Sequence, residues 1–285
     1  MTTLWHAGTG LPWDWRIGAA DSSEREHWKD MLPQLPENAL VTADAGFVGF
    51  EYVQAVIASG RHLLLRVGAN VRLLRELGYA REQEGVVYLW PDQQAKAGQA
   101  PLMLRLVTAQ GGKHPVYLVT SVLDTRRLSD TQVIELYRRR WGIELFYRHL
   151  KQTFARRKLR SGNAENARVE MEWSLLGLWG MGLYAQVQLT RAKIEPKRLS
   201  VAKMLRGFRR TLRDYRHPIE RGTTLCGVLS EALIDEYPRK NKTSRNYPRK
   251  KQEKPPGPPH IQLATRAQIA QAKLIQAETQ KGLSA

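Results

Sequence analysis

Ala39-Leu40-Val41-Thr42-Ala43-Asp44-Ala45-Gly46-Phe47 is the stretch on which the reading turns. Its first five residues are small or apolar and follow a turn at residues 36–38, a run too short for a helix. This predicts a short buried strand that ends at Asp44, with Gly46 turning the backbone sharply straight after it. Upstream, Asp21, Ser22 and Ser23 followed by Glu24 and Glu26 mark a helix start, and the helix is expected to run to about Leu35. Before that, residues 3–7 and 11–17 are short apolar segments joined by Gly8-Thr9-Gly10, which reads as a hairpin. Downstream come a helix over residues 50–59 and an apolar strand over residues 62–67. Hairpin, helix, strand, helix, strand is an α/β layer pattern.

The texture then changes. Residues 86–90, 102–108 and 116–121 are strand-like runs separated by Gly- and Pro-bearing turns, a β-rich insertion. A long helix follows, opened by a capping box in which Ser129 is matched by Gln132 three residues on. It is expected to run to about Gly142 and through it to Phe154. Residues 173–190 carry no charge but contain Gly177, Gly180, Gly182, Gln186 and Gln188, so they read as a buried core helix rather than a membrane span. Residues 200–216 form a basic amphipathic helix. Residues 237–259 read as a linker or tail, because Tyr237-Pro238-Arg239-Lys240 recurs as Tyr247-Pro248-Arg249-Lys250 beside a Pro cluster that cannot build a core. A short Ala- and Gln-rich helix over residues 266–279 follows.

Forty-five Lys and Arg against 27 Asp and Glu give 285 residues a formal charge of +18, an imbalance that favours a polyanionic partner. The basic residues fall in three blocks, 138–160, 197–216 and 239–254, which together look like a track for DNA backbone although any one could be a solvated face. One cysteine, Cys226, excludes a disulfide framework and a cysteine-based zinc site, and with no signal peptide evident an intracellular, cytoplasmic location fits.

The long helix carries the chemistry. Tyr137, Arg140, Glu144 and Lys151 are spaced by three, four and seven residues, so on a regular helix they return to one face, with Arg148 a turn beyond Glu144. The plain explanation of a carboxylate among cations is a set of surface salt bridges. The spacing Tyr-x2-Arg-x3-Glu-x6-Lys, however, resembles the signature around the catalytic Glu in insertion-sequence transposases of the IS-four group. The stretch ending in Asp44-Ala45-Gly46-Phe47 is similar to that family's second motif. The two stand in the family's order, separated by a β-rich insertion, and the resemblance covers roughly residues 4–189.

The resemblance implies a ribonuclease-H-like mixed sheet with flanking helices, interrupted by the β-rich insertion before the catalytic-Glu helix and followed by a basic helical C-terminal extension. It divides the chain at 1–68, 69–122, 123–190, 191–236 and 237–285. It implies that Asp44 and Glu144 are catalytic ligands of Mg²⁺ or Mn²⁺ in a two-metal site. Tyr137, Arg140, Arg148 and Lys151 would contact DNA phosphates, positioning the strand without reading its sequence. The partners implied are double-stranded DNA (insertion-sequence ends and target) and a second copy or a full-length transposase, with no membrane. The family also needs a first Asp at the end of an opening strand. Asp14 and Asp21 are the only acidic residues before Glu24, and neither suits that place. The first catalytic Asp is therefore expected to be absent and the chain to be an N-terminally truncated copy. Alternatives left open are a non-catalytic DNA-binding remnant that inhibits a full-length transposase, a nuclease on the same fold, and a basic RNA-binding protein.

Overall fold

A computed structural model of the chain describes residues 1–19, 21–79, 84–110, 114–213, 224–235 and 257–283. In chain order these form β1 (Thr2–His6), β2 (Leu11–Arg16), α1 (Glu24–Met31), β3 (Leu40–Ala43), α2 (Phe50–Ala58), β4 (His62–Val67), β5 (Arg72–Arg75), β6 (Val86–Leu89) and α3 (Asp92–Lys96). There follow β7 (Leu102–Ala109), β8 (Val116–Thr120), α4 (Asp130–Arg139), α5 (Trp141–Arg148), α6 (Ala164–Arg191), α7 (Val201–Arg213), α8 (Leu225–Ser230), β9 (His260–Leu263) and α9 (Arg266–Leu283). The chain divides into two compact units, one of residues 1–22 with 141–250 and one of residues 23–140 with 251–285.

The second unit is built on a mixed sheet, seven-stranded among the described residues, in the order β3-β4-β8-β7-β6-β5-β9. β3 runs parallel to β4 and β9 parallel to β5, while the other neighbours are antiparallel. Leu63, Leu64 and Leu65 of β4 are fully buried, as an apolar run in the sheet interior requires. β3, expected to be buried, is instead a half-buried edge strand: it pairs with β4 on one side, and only Val41 of its four residues is buried. The strands read as an insertion continue this same sheet. So does β9, which falls where only a tail and a helix were expected, and behind it α9 buries Ala272 and Ile275.

A buried cation fixes α4 to the sheet. Arg105 of β7 is 2% exposed. Its guanidinium donates to the carbonyls of Val122 and Leu128 and pairs with Asp130 in the first turn of α4. The capping box forms as read: Ser129 Oγ accepts from Gln132 N, and Gln132 Oε1 accepts from Ser129 N. Val133 of α4 then packs with Leu64, Val107 and Leu118.

The first unit is a helical assembly with the hairpin against it. Phe146, Leu150 and Phe154 share a core with Leu175, Leu178 and Ala185 of α6 and Met204 and Leu205 of α7, and Trp5 and Trp15 of the hairpin pack onto it. Two glycines admit the hairpin. A Cβ at Gly182 would meet Leu11 Cδ2 at 2.5 Å, and one at Gly142 would meet the Trp5 ring at 1.9 Å. The hairpin turn itself is closed by Gly10 N donating to His6 O at 2.8 Å, with Gly10 at φ +70°.

The regular helix expected from Ser129 to Phe154 is in fact three segments. Arg140 ends α4 with its N–H on Tyr137 O at 3.0 Å, a three-residue step. Beyond α5, His149–Thr153 is a π-helical turn, with Phe154 N bonded to His149 O five residues back at 2.9 Å. α6 also departs from the buried helix expected. It is 28 residues long and buries only one face. Among the described residues no helix is long and apolar enough to cross a membrane. The expected tail over residues 237–256 and the basic residues 214–216 lie outside the described residues.

Candidate active site

Asp44 sits where the sequence placed it, directly after β3. Its backbone is still extended, and it caps the 3₁₀ turn Ala45–Phe47 by accepting from Gly46 N at 2.9 Å. Gly46 does not adopt a left-handed backbone. What it supplies is space, because a Cβ there would lie 3.1 Å from Asp44 Oδ1. Arg25 of α1 holds the turn from the other side, donating to Gly46 O at 2.6 Å. The carboxylate is thereby fixed at one end and exposed.

Two tyrosines of the same unit feel the Asp44 charge, and Arg140 and Arg66 act on one of them. Tyr52, on α2, is buried against Trp28 with ring centroids 4.1 Å apart and against Phe47 at 5.6 Å. Burial, and secondly the Asp44 charge, push its phenol well above the ordinary tyrosine value, so it stays neutral. Tyr137, on α4, is half-buried. Burial raises its phenol, Arg140 and Arg66 act to lower it, and Asp44 raises it again, for a net rise. Arg140 lies 5.6 Å from the centre of the Tyr137 ring and hydrogen-bonds its hydroxyl. Tyr137, singled out from sequence, is thus reached by the charges of both Asp44 and Arg140, which were singled out with it. Tyr52 and Arg66 were missed, although an arginine inside the otherwise apolar strand β4 was a visible signal for the second.

Glu144, Arg148 and Lys151 belong to the other unit. Glu144 is half-buried in the first turn of α5, and Arg148 is exposed in its last turn. Lys151 lies on the π turn with its ammonium 5.9 Å from the centre of the Tyr147 ring. His149 is held by Thr153 Oγ1 at 3.3 Å, and burial, then the Arg148 charge, lower its imidazole pKa. Among the described residues no three His, Cys, Asp or Glu side chains converge on one point. Asp14 is taken up on β2 by Arg16 at 2.8 Å and by Trp15 N at 2.8 Å, and Asp21 is exposed in a turn.

The first basic block continues past Lys151 into a loop that is held by one carboxylate. Glu170 of α6 accepts from Arg160 N at 2.9 Å, Ser161 N at 3.2 Å, Ser161 Oγ at 3.2 Å and Arg156 at 3.0 Å. Burial pushes the Glu170 carboxyl up, but these donors outweigh it and hold the carboxyl below its usual range. Arg157, Lys158 and Arg160 are left exposed on the loop. The second block lies along α7, where Arg206, Arg209 and Arg213 are exposed opposite the buried Met204, Leu205 and Gly207.

Residues 1–179 match the family described as the transposase DDE domain. The transposase InsG for insertion sequence element IS4 of Escherichia coli is 29% identical over 182 residues, covering 61% of this chain and 40% of that protein. A relative from Synechocystis, assigned to insertion sequence element IS4SA as its transposase, is 23% identical over 164 residues, covering 56% of this chain and 45% of its own length. The chain thus spans less than half the length of either relative. No solved structure matches it at a significant level.

Proposed function

The chain belongs to the DDE transposase domain family, and from that premise we propose that it serves metal-dependent cleavage and strand transfer at insertion-sequence ends. Asp44 and Glu144 are the metal ligands in this reading. Both are hard carboxylate oxygens suited to Mg²⁺ or Mn²⁺, and Asp44 is exposed at a strand end with its backbone locked. Bound to such carboxylates, a divalent metal supplies activation of the attacking oxygen and neutralises charge on the leaving one. The chain's own contribution is to hold the DNA strand. Arg140, beside Tyr137, offers a planar guanidinium to a phosphate, and Arg148 and Lys151 are further phosphate contacts in the same reading. The ribonuclease-H-like arrangement belongs to the same proposal, supported by a mixed sheet with a strand-end Asp and a Glu helix in family order. Double-stranded DNA is the substrate class, and a location with the bacterial chromosome follows from it.

The observation that carries the reading is Asp44 itself, an exposed carboxylate locked at a strand end whose charge reaches Tyr137, with Arg140 over the ring of that same tyrosine. Calorimetry with Mn²⁺ tests it. Asp44→Asn and Glu144→Gln should each lower Mn²⁺ affinity at least tenfold, about 1.4 kcal/mol, while DNA binding without metal stays within twofold. Unchanged Mn²⁺ affinity in both variants would remove these residues from the site. A DNA-binding protein without catalysis is the second reading, favoured by the lack of three converging metal-binding groups among the described residues. Strand cleavage in Mn²⁺ separates the two.

A further inference from the structure

The turn behind Asp44 is built on the residue least able to hold a shape. A Cβ at Gly46 would lie 3.1 Å from Asp44 Oδ1, so any side chain there would crowd the carboxylate. Glycine meets that demand, but it brings the widest backbone freedom of any residue. The turn's own backbone bonds are long, with Phe47 N on Asp44 O at 3.2 Å and Val48 N on Ala45 O at 3.4 Å, so they restrain it weakly. Gly46 N nevertheless has to keep its place, because it donates to Asp44 Oδ1 at 2.9 Å. Asp44 Oδ2 accepts no hydrogen bond among the described residues, and the side chain is exposed. The direction of that second oxygen depends on how firmly Gly46 is held.

Helix α1 holds it, through two residues on one face. Arg25 Nη2 donates to Gly46 O at 2.6 Å, and its Nη1 lies alongside Gly49, where a Cβ would come within 3.8 Å. Three residues on, Trp28 is 3% exposed, with its ring 4.1 Å from that of Tyr52. Tyr52 in turn stands 5.6 Å from Phe47, the last residue of the turn. The buried stack fixes α1 against the turn, and Arg25 reaches Gly46 from that base. We propose that Arg25 is a positioning residue for metal binding: by holding the Gly46 carbonyl it fixes the residue whose N–H engages Asp44 Oδ1, and so aims Oδ2 at the metal ion. The inference rests on the reading of Asp44 as a metal ligand. It also carries a sign. A guanidinium near a divalent cation opposes it by charge, so deleting Arg25 should strengthen metal binding if charge were its only effect. Deleting a group that orients a ligand weakens binding instead, by about 10- to 100-fold.

Mn²⁺ calorimetry on the full chain provides the test. Arg25→Met keeps a long stem and removes charge and donor together, and it should lower Mn²⁺ affinity about tenfold. Arg25→Lys keeps a donor for the carbonyl and should bring affinity back to within about threefold of the native chain. In Arg25→Met the Gly46 amide should exchange faster with solvent, while the far-UV spectrum is unchanged because Arg25 is exposed. In an Asp44→Asn background Arg25→Met should cost no further affinity, since the oxygen it aims is gone. Affinity lowered by Asp44→Asn but held or raised by Arg25→Met would overturn this inference alone, as would failure of Arg25→Lys to restore it or a further loss in the Asp44→Asn background. Affinity unmoved by Asp44→Asn would overturn the metal reading and this inference with it.

Discussion

Gly142 offers a sharp test of how the hairpin and the Glu144 helix depend on each other. Replaced by Ala, it would place a methyl carbon 1.9 Å from Trp5 Cη2, 2.4 Å from Cζ2 and 2.6 Å from Cζ3. Two effects oppose each other. Ala in place of Gly in a helix gains at most about 1 kcal/mol from propensity. Against this, the indole must shift or leave. A shift costs about 1–3 kcal/mol of overpacking, and full expulsion forfeits a large share of the ~3 kcal/mol a ring gains by burial. Trp5 packs, half-buried, on the core that holds Phe146 and Leu150, so displacing its ring gives up part of that packing. The clash should win by about 1–2 kcal/mol.

A chain of two units is not expected to unfold in one step, so a local readout is needed. Amide exchange across the β1–β2 ladder, followed by mass spectrometry, should lose roughly tenfold in protection for Gly142→Ala, the equivalent of about 1.4 kcal/mol. In a Trp5→Ala background the same substitution meets no ring, and protection of α5 should be unchanged or slightly raised by the propensity gain. Increased protection in the single variant, or an equal loss in both backgrounds, would refute the claim that the ring seated on Gly142 joins these elements.

Other perturbations bear on single contacts. Arg105→Met strips the Val122 and Leu128 carbonyls of a buried donor and should cost about 2–4 kcal/mol in chemical denaturation. Asp130→Asn should cost under about 1 kcal/mol, because that carboxylate is mostly exposed. Glu170→Gln should loosen the basic loop, read as faster amide exchange at Arg160 and Ser161. In the native chain the Glu170 pKa is depressed on folding, so its contribution is fully present above the ordinary carboxylate value near 4.5 and is lost as pH falls through the lowered one. Exchange at those two amides that is indifferent to acidification would count against the carboxylate as their anchor. Tyr52→Phe keeps the ring against Trp28 and removes a hydroxyl that has no hydrogen-bond partner among the described residues. It should raise stability by up to about 1 kcal/mol, and a loss would show that the hydroxyl is satisfied after all.

What the sequence disclosed, and what it withheld, follows from the range of each interaction. The hairpin turn at Gly10, the capping box at Ser129 and the strand end at Asp44 are decided by residues a few positions apart, and each formed where it was read. β5 and β9 were not legible. Each has four residues of which two are polar or charged, Arg72 and Arg75 in β5 and His260 and Gln262 in β9, so what makes it a strand is its neighbour in the sheet rather than its own composition. The same limit explains α6. An uncharged run says that a helix shuns water, but not which of its faces finds cover within the chain. The functional helix shows the limit most sharply. Spacing of three, four and seven aligns Tyr137, Arg140, Glu144 and Lys151 only if the helix is regular. The tight step at Arg140 and the wide turn at His149 are backbone events with no composition signal, and both fall within that span. The spacing named these residues as a set on the assumption of one regular helix, and the backbone between Ser129 and Phe154 is three segments. Tyr137 is reached by the charges of Asp44 and Arg140, while Glu144, Arg148 and Lys151 belong to the unit whose core carries the hairpin. A substitution at Arg140 should therefore act on the surroundings of Asp44, and one at Gly142, two residues on, should act on the hairpin.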